Sequence, residues 1–415
     1  MSENLAIFLD RAKFYATDFA TSLCSVLCKP SSELKINGRT FQIVKLLGEG
    51  GFSFVYLAHD QSTGRTFALK KIRCPSGDVV KIALAEIEAY KRFRSNNIIT
   101  VLDSAVVQDE SGEGKIIWVF LPYYERGNLQ DMISRSLLTN PPTHPPERQL
   151  LSLFYGTCLA VQSMHHYKPS HAHAPTASGS DGSVYPPAAK FVSDSQAELE
   201  FDEEGGMLLE GRGGKDDIVF DLGDEEEEQD LIQKVDLKGK GREVVVEEND
   251  AEDDEEVPYA HRDIKRDNIM IADDGKTPIL MDLGSCVKAR IHLRTRQEAL
   301  IQQDVAAEHS SMPYRAPELF EPKTGQTLDE KVDIWSLGCT LFALAYNYSP
   351  FEDPAQAGGS ISMAVASGSY RHPRDSPYSQ EFKDLIDSML VVKVEKRARI
   401  DQVLERTKRL LEEAQ

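Results

Sequence analysis

At 415 residues the chain can hold one large domain or two to three small ones, because a single hydrophobic core stops growing near about 250–300 residues. Its hydrophobic content of 41% is that of a globular protein, and the lack of any run of about 18 apolar residues excludes a helical transmembrane protein. The net charge of −20 sits in one stretch: Pro169 to Val257 carries 27 Asp/Glu against 7 Lys/Arg, and the remainder carries 40 of each sign, which leaves a nucleic-acid partner without support.

Six cysteines form no paired metal-ligand spacing, and Met1 to Ala6 lacks the basic start of a secretory signal, so the expected setting is reducing and cytosolic. Leu5 to Leu27 places Phe8, Ala12, Tyr15, Phe19, Leu23 and Val26 at three- to four-residue steps and ends beside Cys24 and Cys28. Residues 1–36 are therefore a candidate amphipathic membrane anchor, with Cys24 and Cys28 as candidate thioester-acylation sites; Ser2 replaces the glycine that myristoylation needs. One acyl chain anchors only marginally, so both cysteines, or one chain plus the helix, would be required. The alternative is a helix packed on the folded domain with two inert thiols.

Residues 37–124 open with short β-rich runs at Phe41 to Leu47, Phe54 to His59 and Thr66 to Ile72. A helix follows over Val79 to Phe93, and further strands are expected over Ile98 to Val107 and Lys115 to Leu121. Past Arg126-Gly127 the periodicity turns helical, at Gln149 to His165, Val332 to Tyr346, Ser379 to Leu390 and Ile400 to Glu412. The expected fold is α+β and two-lobed: a small β-rich lobe, then a larger helical lobe made of 125–168 and 258–415. The intervening 169–257 is rich in His, Ala, Pro, Ser and Gly and then in acidic runs, a composition that buries too little apolar surface to offset its ordering entropy, so disorder is expected there. This acidic insert has potential partners in Lys288, Arg290, Arg294 and Arg296, although salt screens such contacts.

Chemistry concentrates at four places. The glycine-rich Gly48-Glu49-Gly50-Gly51-Phe52-Ser53 lies between two strands, where small residues let backbone amides close over phosphates, or simply make a hairpin. In the third strand, Lys70 is placed to meet phosphate charge, with Lys71 as the neighbour on the opposite face. Glu86 in the following helix is the candidate ion-pair partner; Glu88 is its rival, and Tyr90 and Phe93 at i+4 and i+7 favour Glu86 as the residue on the buried side. Finally, His261 to Asn268 brings a carboxylate, a lysine and an amide into one loop, and a short hairpin delivers Asp282 with Gly284 behind it. Asp263 is suited to accept a hydroxyl proton, and Asn268 and Asp282 to offer hard oxygen ligands to magnesium.

From about Phe41 to Leu411, outside the insert, these motifs resemble the eukaryotic protein kinases, completed by Ala316-Pro317-Glu318, Asp333 to Gly338 and Arg397 as a partner for Glu318. More narrowly, Leu47 to Ser53, Met281 to Ser285 and Tyr314 to Phe320 resemble the Numb-associated kinases, in particular the branch of the myristoylated and palmitoylated kinase and its fungal vacuolar relatives. The resemblance implies a bilobal serine/threonine protein kinase that uses ATP and magnesium and acts on protein Ser/Thr hydroxyls. It implies Asp263, Lys265 and Asn268 as catalytic residues, Lys70 rather than Lys71, and Glu86 and Asp282 around the phosphates. Gly48 and Gly50 would cover the phosphates, Leu121 would be the gatekeeper, Pro122 to Tyr124 the hinge, and Leu47, Val55, Ala68 and Met270 the apolar walls around adenine. The same resemblance implies a helical extension of the activation segment over Gln297 to His309, and a cytoplasmic location peripheral to Golgi, endosomal or vacuolar membranes with a role in trafficking. Ser53, Leu283 and Arg266 depart from the commonest kinase pattern, Arg266 standing where proline is common. Arg262 before Asp263 points to Ser310 and Ser311 as activation-segment phosphoacceptors, although Ser311 has a second reading as a bridge between Asp263 and Lys265. A scaffold that has kept the fold but not the chemistry, and a kinase of lipids or small molecules, are the other classes.

Overall fold

The computed structural model describes residues 33–36, 38–50, 53–109, 112, 114–138, 144–169, 200–201, 207–208, 256–352 and 360–413. The candidate anchor helix with Cys24 and Cys28, and the expected disorder of the insert, lie outside them. The chain separates into two units, 1–168 with 217–415, and 169–216. In the second, strands Glu200–Phe201 and Met207–Leu208 pair antiparallel.

The first unit begins with a six-stranded antiparallel sheet in the order β1-β2-β3-β4-β6-β5. Its strands are β1 (Glu33–Ile36), β2 (Arg39–Glu49), β3 (Ser53–Asp60), β4 (Thr66–Cys74), β5 (Asp103–Gln108) and β6 (Lys115–Pro122). The sheet therefore starts earlier than the sequence suggests: Leu34 pairs with Phe41, and Ile36 is buried in a small core with Phe41, Ala58, Phe67, Leu69, Trp118 and Phe120 on one face. The other face, through Ile72, Val119 and Leu121, joins the main core together with Ile87 and Tyr90 of α1 (Gly77–Arg92). β5 starts later than expected, because Ile98 and Ile99 are given to the helical lobe, where Ile98 bridges to Leu280 and the Ile99 N–H donates to the Leu280 carbonyl at 2.9 Å.

The helical lobe holds α2 (Leu129–Leu137), α3 (Glu147–His165), α4 (Arg296–His309), α5 (Pro317–Phe320), α6 (Lys331–Tyr346), α7 (Ile361–Ser367), α8 (Gln380–Met389) and α9 (Ile400–Glu413). Every residue of α6 is buried, making it the axis of the lobe. The short α2 was missed in the sequence although Asn128 and Asp131 form a reciprocal capping box at its start. Where the insert departs and returns, the chain closes on itself: the Val257 N–H donates to the Tyr167 carbonyl at 2.8 Å, and His166 lies 3.0 Å from both Glu256 and Asp401. The core is thus continuous across the insertion point.

Below α6, the Arg397 guanidinium meets Glu318 through two hydrogen bonds of 2.7 and 2.9 Å, donates to the Lys331 and Val391 carbonyls, and stacks over Trp335. Both partners are buried. Removing one charge strands the other, so Glu318→Ala should lower stability by about 3–5 kcal/mol, seen as a lower urea midpoint with an unchanged slope.

Candidate active site

Strand alternation sorts the β-lobe residues. Val55 lies opposite Lys70, Lys70 opposite Val119, and Ala68 opposite Leu121, so all project from the face turned to the main core. Lys71 projects the other way, with its ammonium 5.9 Å from the centre of the Trp118 ring. Gly48 pairs with Val55 across β2 and β3, and the Gly50 N–H donates to the Ser53 carbonyl at 2.7 Å, closing the glycine turn; Gly51 and Phe52 lie outside the described residues. Leu121 is buried, Leu47 is exposed at the rim, and Pro122 and Tyr124 continue the chain out of β6 toward the helical lobe. Met270, on the hairpin of Ile269–Ile271 with Pro278–Leu280, bridges to Asn128 just past that connection.

The Lys70 ammonium contacts Glu86 Oε1 at 2.5 Å and Asp282 Oδ1 at 3.6 Å. Burial alone would push the lysine pKa down, but Glu86 and then Asp282 outweigh it and hold the ammonium above its ordinary range. The Tyr90 hydroxyl donates to the same Glu86 oxygen at 2.8 Å, one turn along α1. Glu88 instead pairs with Lys91 at 3.2 Å. A side chain at Gly284 would put its Cβ 3.3 Å from Glu86 Oε2, which ties that glycine to the ion pair. Asp282 has a left-handed backbone, φ 63°. Desolvation works against its charge, but Lys70, then His261 and Lys265, keep the carboxyl below its ordinary range and ionised.

In the loop His261–Asn268, Asp263 Oδ2 accepts from Lys265 Nζ at 2.7 Å and from Asn268 Nδ2 at 3.0 Å, and Asp263 Oδ1 accepts from the Ser311 N–H at 2.8 Å. Lys265 also donates to Ser311 Oγ at 2.7 Å, and Asn268 Nδ2 to the Asp263 carbonyl at 2.9 Å. The two carboxylate loops are stitched together: the Met281 N–H donates to the Asn268 carbonyl at 2.9 Å, and His261 Nε2 lies 3.0 Å from the Met281 carbonyl. The structure therefore gathers Lys70, Glu86 and Asp282 into one cluster, Asp263, Lys265 and Asn268 into a second, and joins them through Met281.

The family model for the protein kinase domain matches residues 41–172 and 257–407. The chain belongs to the protein kinase domain family. It is 33% identical over 394 residues to serine/threonine-protein kinase ENV7 of Saccharomyces cerevisiae, covering 92% of this chain and 95% of that one. It is 30% identical to serine/threonine-protein kinase ppk13 of Schizosaccharomyces pombe, covering 89% of this chain and 90% of that one. With human serine/threonine-protein kinase 16 it shares 27% identity over 89% of this chain and 90% of the relative. It is thus a eukaryotic serine/threonine kinase domain closely related to these proteins, consistent with the Numb-associated lineage its motifs resemble.

Two residues of this kinase domain, marked in the sequence by the resemblance, gain partners that the sequence does not name. Asp333, fully buried at the start of α6, accepts the N–H groups of His261 and Arg262 at 2.8 Å each, and His165 Nε2 lies 3.1 Å away. Arg262 is held at φ 66°, its guanidinium donating to Gln302 of α4 at 2.9 Å, and burial pushes its pKa down to about 10. In the sequence Asp333 is marked by the motif Asp333 to Gly338 and as a lone carboxylate in an otherwise apolar helical run, but neither names the two amides it accepts.

The activation segment answers the two serines. α4 starts at Thr295 with a capping box to Glu298, which matches the expected helical extension. Ser311 is the bridge between Asp263 and Lys265 described above. Ser310 is buried, donating to the Ala306 carbonyl at 2.6 Å and accepting from Arg315 Nε at 2.8 Å, so its hydroxyl is engaged in ending the helix. Of the four basic residues set against the insert, Arg290 is paired with Glu330.

Desolvation raises the Asp333 pKa, but His165 and the loop amides overcome it, leaving the carboxyl below its ordinary 3.8. A depressed carboxyl pKa contributes stability that is complete above the unfolded value and lost as pH falls through the folded one. Asp333→Asn should therefore be less stable than wild type at neutral pH, with the gap in urea-unfolding free energy narrowing below about pH 4. A gap independent of pH would contradict this.

Proposed function

We propose that the chain is a serine/threonine protein kinase that transfers the γ-phosphoryl group of ATP to protein Ser/Thr hydroxyls. The observation that carries this reading is the joining of the Lys70–Glu86–Asp282 cluster to the Asp263–Lys265–Asn268 cluster, with each charge partnered and oriented. In this reading Asp263 accepts the hydroxyl proton, Lys265 faces the negative charge that builds on the transferred group, and Lys70 holds the α- and β-phosphates. The residues fit magnesium: Asp282 is kept ionised, and the Asn268 amide nitrogen is committed to Asp263, which leaves its oxygen to face a cation. When bound, magnesium neutralises phosphate charge. Leu47, Gly48, Gly50, Val55, Ala68, Leu121 and Met270 would enclose the nucleotide. At the hinge Pro122 has no N–H, so it can offer only its carbonyl, and the donor would come from Tyr124.

A catalytically silent scaffold would not require these partnered groups, and a lipid or small-molecule kinase is disfavoured by the protein-kinase form of the activation segment. We further propose peripheral attachment to a Golgi, endosomal or vacuolar surface through acylated Cys24 and Cys28, supported by the amphipathic spacing of Leu5 to Leu27.

Asp263→Asn should lower phosphate transfer to a protein substrate by about a thousandfold or more while Mg-ATP binding persists. Equal turnover in the variant would reject the assignment. For the anchor, the wild-type chain expressed in cells should carry a hydroxylamine-sensitive acyl label that is lost in Cys24→Ser/Cys28→Ser. An unlabelled wild type would refute it.

A further inference from the structure

Arg266 occupies a position where proline is common in the kinases this chain resembles, and the guanidinium has a defined seat. α6 ends at Asn347, whose left-handed backbone, φ 69°, lets its N–H donate to the Ala343 carbonyl at 2.8 Å. Arg266 Nη1 donates to that same Ala343 carbonyl at 3.2 Å and to Asn347 Oδ1 at 3.2 Å. A cation is thereby fixed at the negative end of a fully buried helix, where the last carbonyls have no partner within the helix.

The contact is one of a series. The catalytic loop runs along α6 in step with it: Asp333 takes the N–H groups of His261 and Arg262, Thr340 reaches the Ile264 carbonyl at 3.4 Å, and Ala343 with Asn347 receives Arg266. The same helix and the turn after it hold the segment beside Ser311, through Ser336 to the Tyr314 carbonyl at 2.9 Å and Ser349 to the Pro313 carbonyl at 2.8 Å. Lys265 immediately precedes Arg266, Asn268 follows two residues later, and both bond Asp263. Any shift of Arg266 along the helix therefore moves two partners of Asp263 together.

We propose that Arg266 is a positioning residue for phosphoryl transfer, clamping the second half of the catalytic loop to the C-terminus of α6 so that Lys265 and Asn268 stay in register with Asp263. The proposal rests on the kinase reading above. Asp333 fixes the first half of the loop and Arg266 the second, and the helix between them sets their separation.

The test uses the full chain with Arg266→Ala, Arg266→Lys, Asn347→Gly and the double variant Arg266→Ala/Asn347→Gly. Glycine keeps the left-handed backbone at 347 and removes only the side-chain amide. In Arg266→Ala, kcat should fall about tenfold, the loss expected for a charge-assisted hydrogen bond that orients catalytic groups, with KM for ATP within about twofold of wild type. Arg266→Lys should recover much of the rate, because an ammonium still satisfies the helix end. The double variant should be no slower than Arg266→Ala, because both changes remove one shared contact. Hydrogen exchange at the amides of residues 264–269 should be faster in Arg266→Ala, a readout that does not depend on turnover. If the wild type transferred no phosphate, the kinase reading would fail, and exchange alone would decide whether Arg266 seats the loop. An unchanged kcat in an active enzyme, or exchange in 264–269 equal to wild type, would overturn the proposal.

Discussion

The carboxylate of Asp333 is completely enclosed by protein and accepts two backbone N–H groups from residues some seventy positions earlier in the chain. That arrangement sets the conformation of the catalytic loop. A non-glycine residue with φ near 66° is strained, and Arg262 is kept there because Asp333 takes its amide and that of His261 together. The turn carries Asp263 round to meet Lys265, Asn268 and Ser311. The cost of burying the Asp333 charge is offset by three groups that point at it, the His261 and Arg262 amides and the His165 ring, so it stays ionised where an isolated carboxyl would not.

The same physical solution recurs through the site. Three further charges are each met by an opposite one and by further hydrogen bonds: Lys70 by Glu86 and Asp282, with Tyr90 on Glu86; Lys265 by Asp263; Arg397 by Glu318 and two carbonyls. Such pairs add little net stability over apolar packing, but they fix direction, because a misplaced charge in a dry interior is expensive. Direction matters most for α1. Glu86 is tied to Lys70 on the sheet, and Gly284 sits close against Glu86, so the placement of α1, the sheet and the Asp282 turn is one coupled setting.

Much of this was legible because the chemistry lies in short, dense segments. Asp263, Asn268 and Asp282 were marked by their neighbours within a few residues. Glu86 was separable from Glu88 because Tyr90 revealed the buried side of the helix, and Tyr90 proves to bond Glu86 directly. Lys70 was less secure: alternation shows that Lys70 and Lys71 face opposite ways but not which face holds the site, and the resemblance made the choice that the position of Lys71 over Trp118 now explains. What the sequence did not reveal are the partners of residues that act over long sequence separations through backbone atoms. Asp333 and Arg266 make their contacts with main-chain groups about seventy to eighty residues away, and no local pattern encodes those partners. Ile98 and Ile99 read as strand because their apolar, β-branched character suits a strand, yet tertiary contact with Leu280 claims them instead.

If these partnered groups form a working phosphotransfer site, the full chain incubated with Mg-ATP should acquire or transfer phosphate in a form that identifies its acceptor. Mass-spectrometric mapping of phosphorylated positions, on the chain itself and on a mixture of protein substrates, tests this most directly. The account predicts phosphoserine and phosphothreonine, without phosphotyrosine, and none at Ser310 in the folded protein, whose hydroxyl is buried between Ala306 and Arg315. Absence of any ATP-dependent phosphorylation by well-folded, nucleotide-binding protein would contradict it and leave the fold as a binding scaffold.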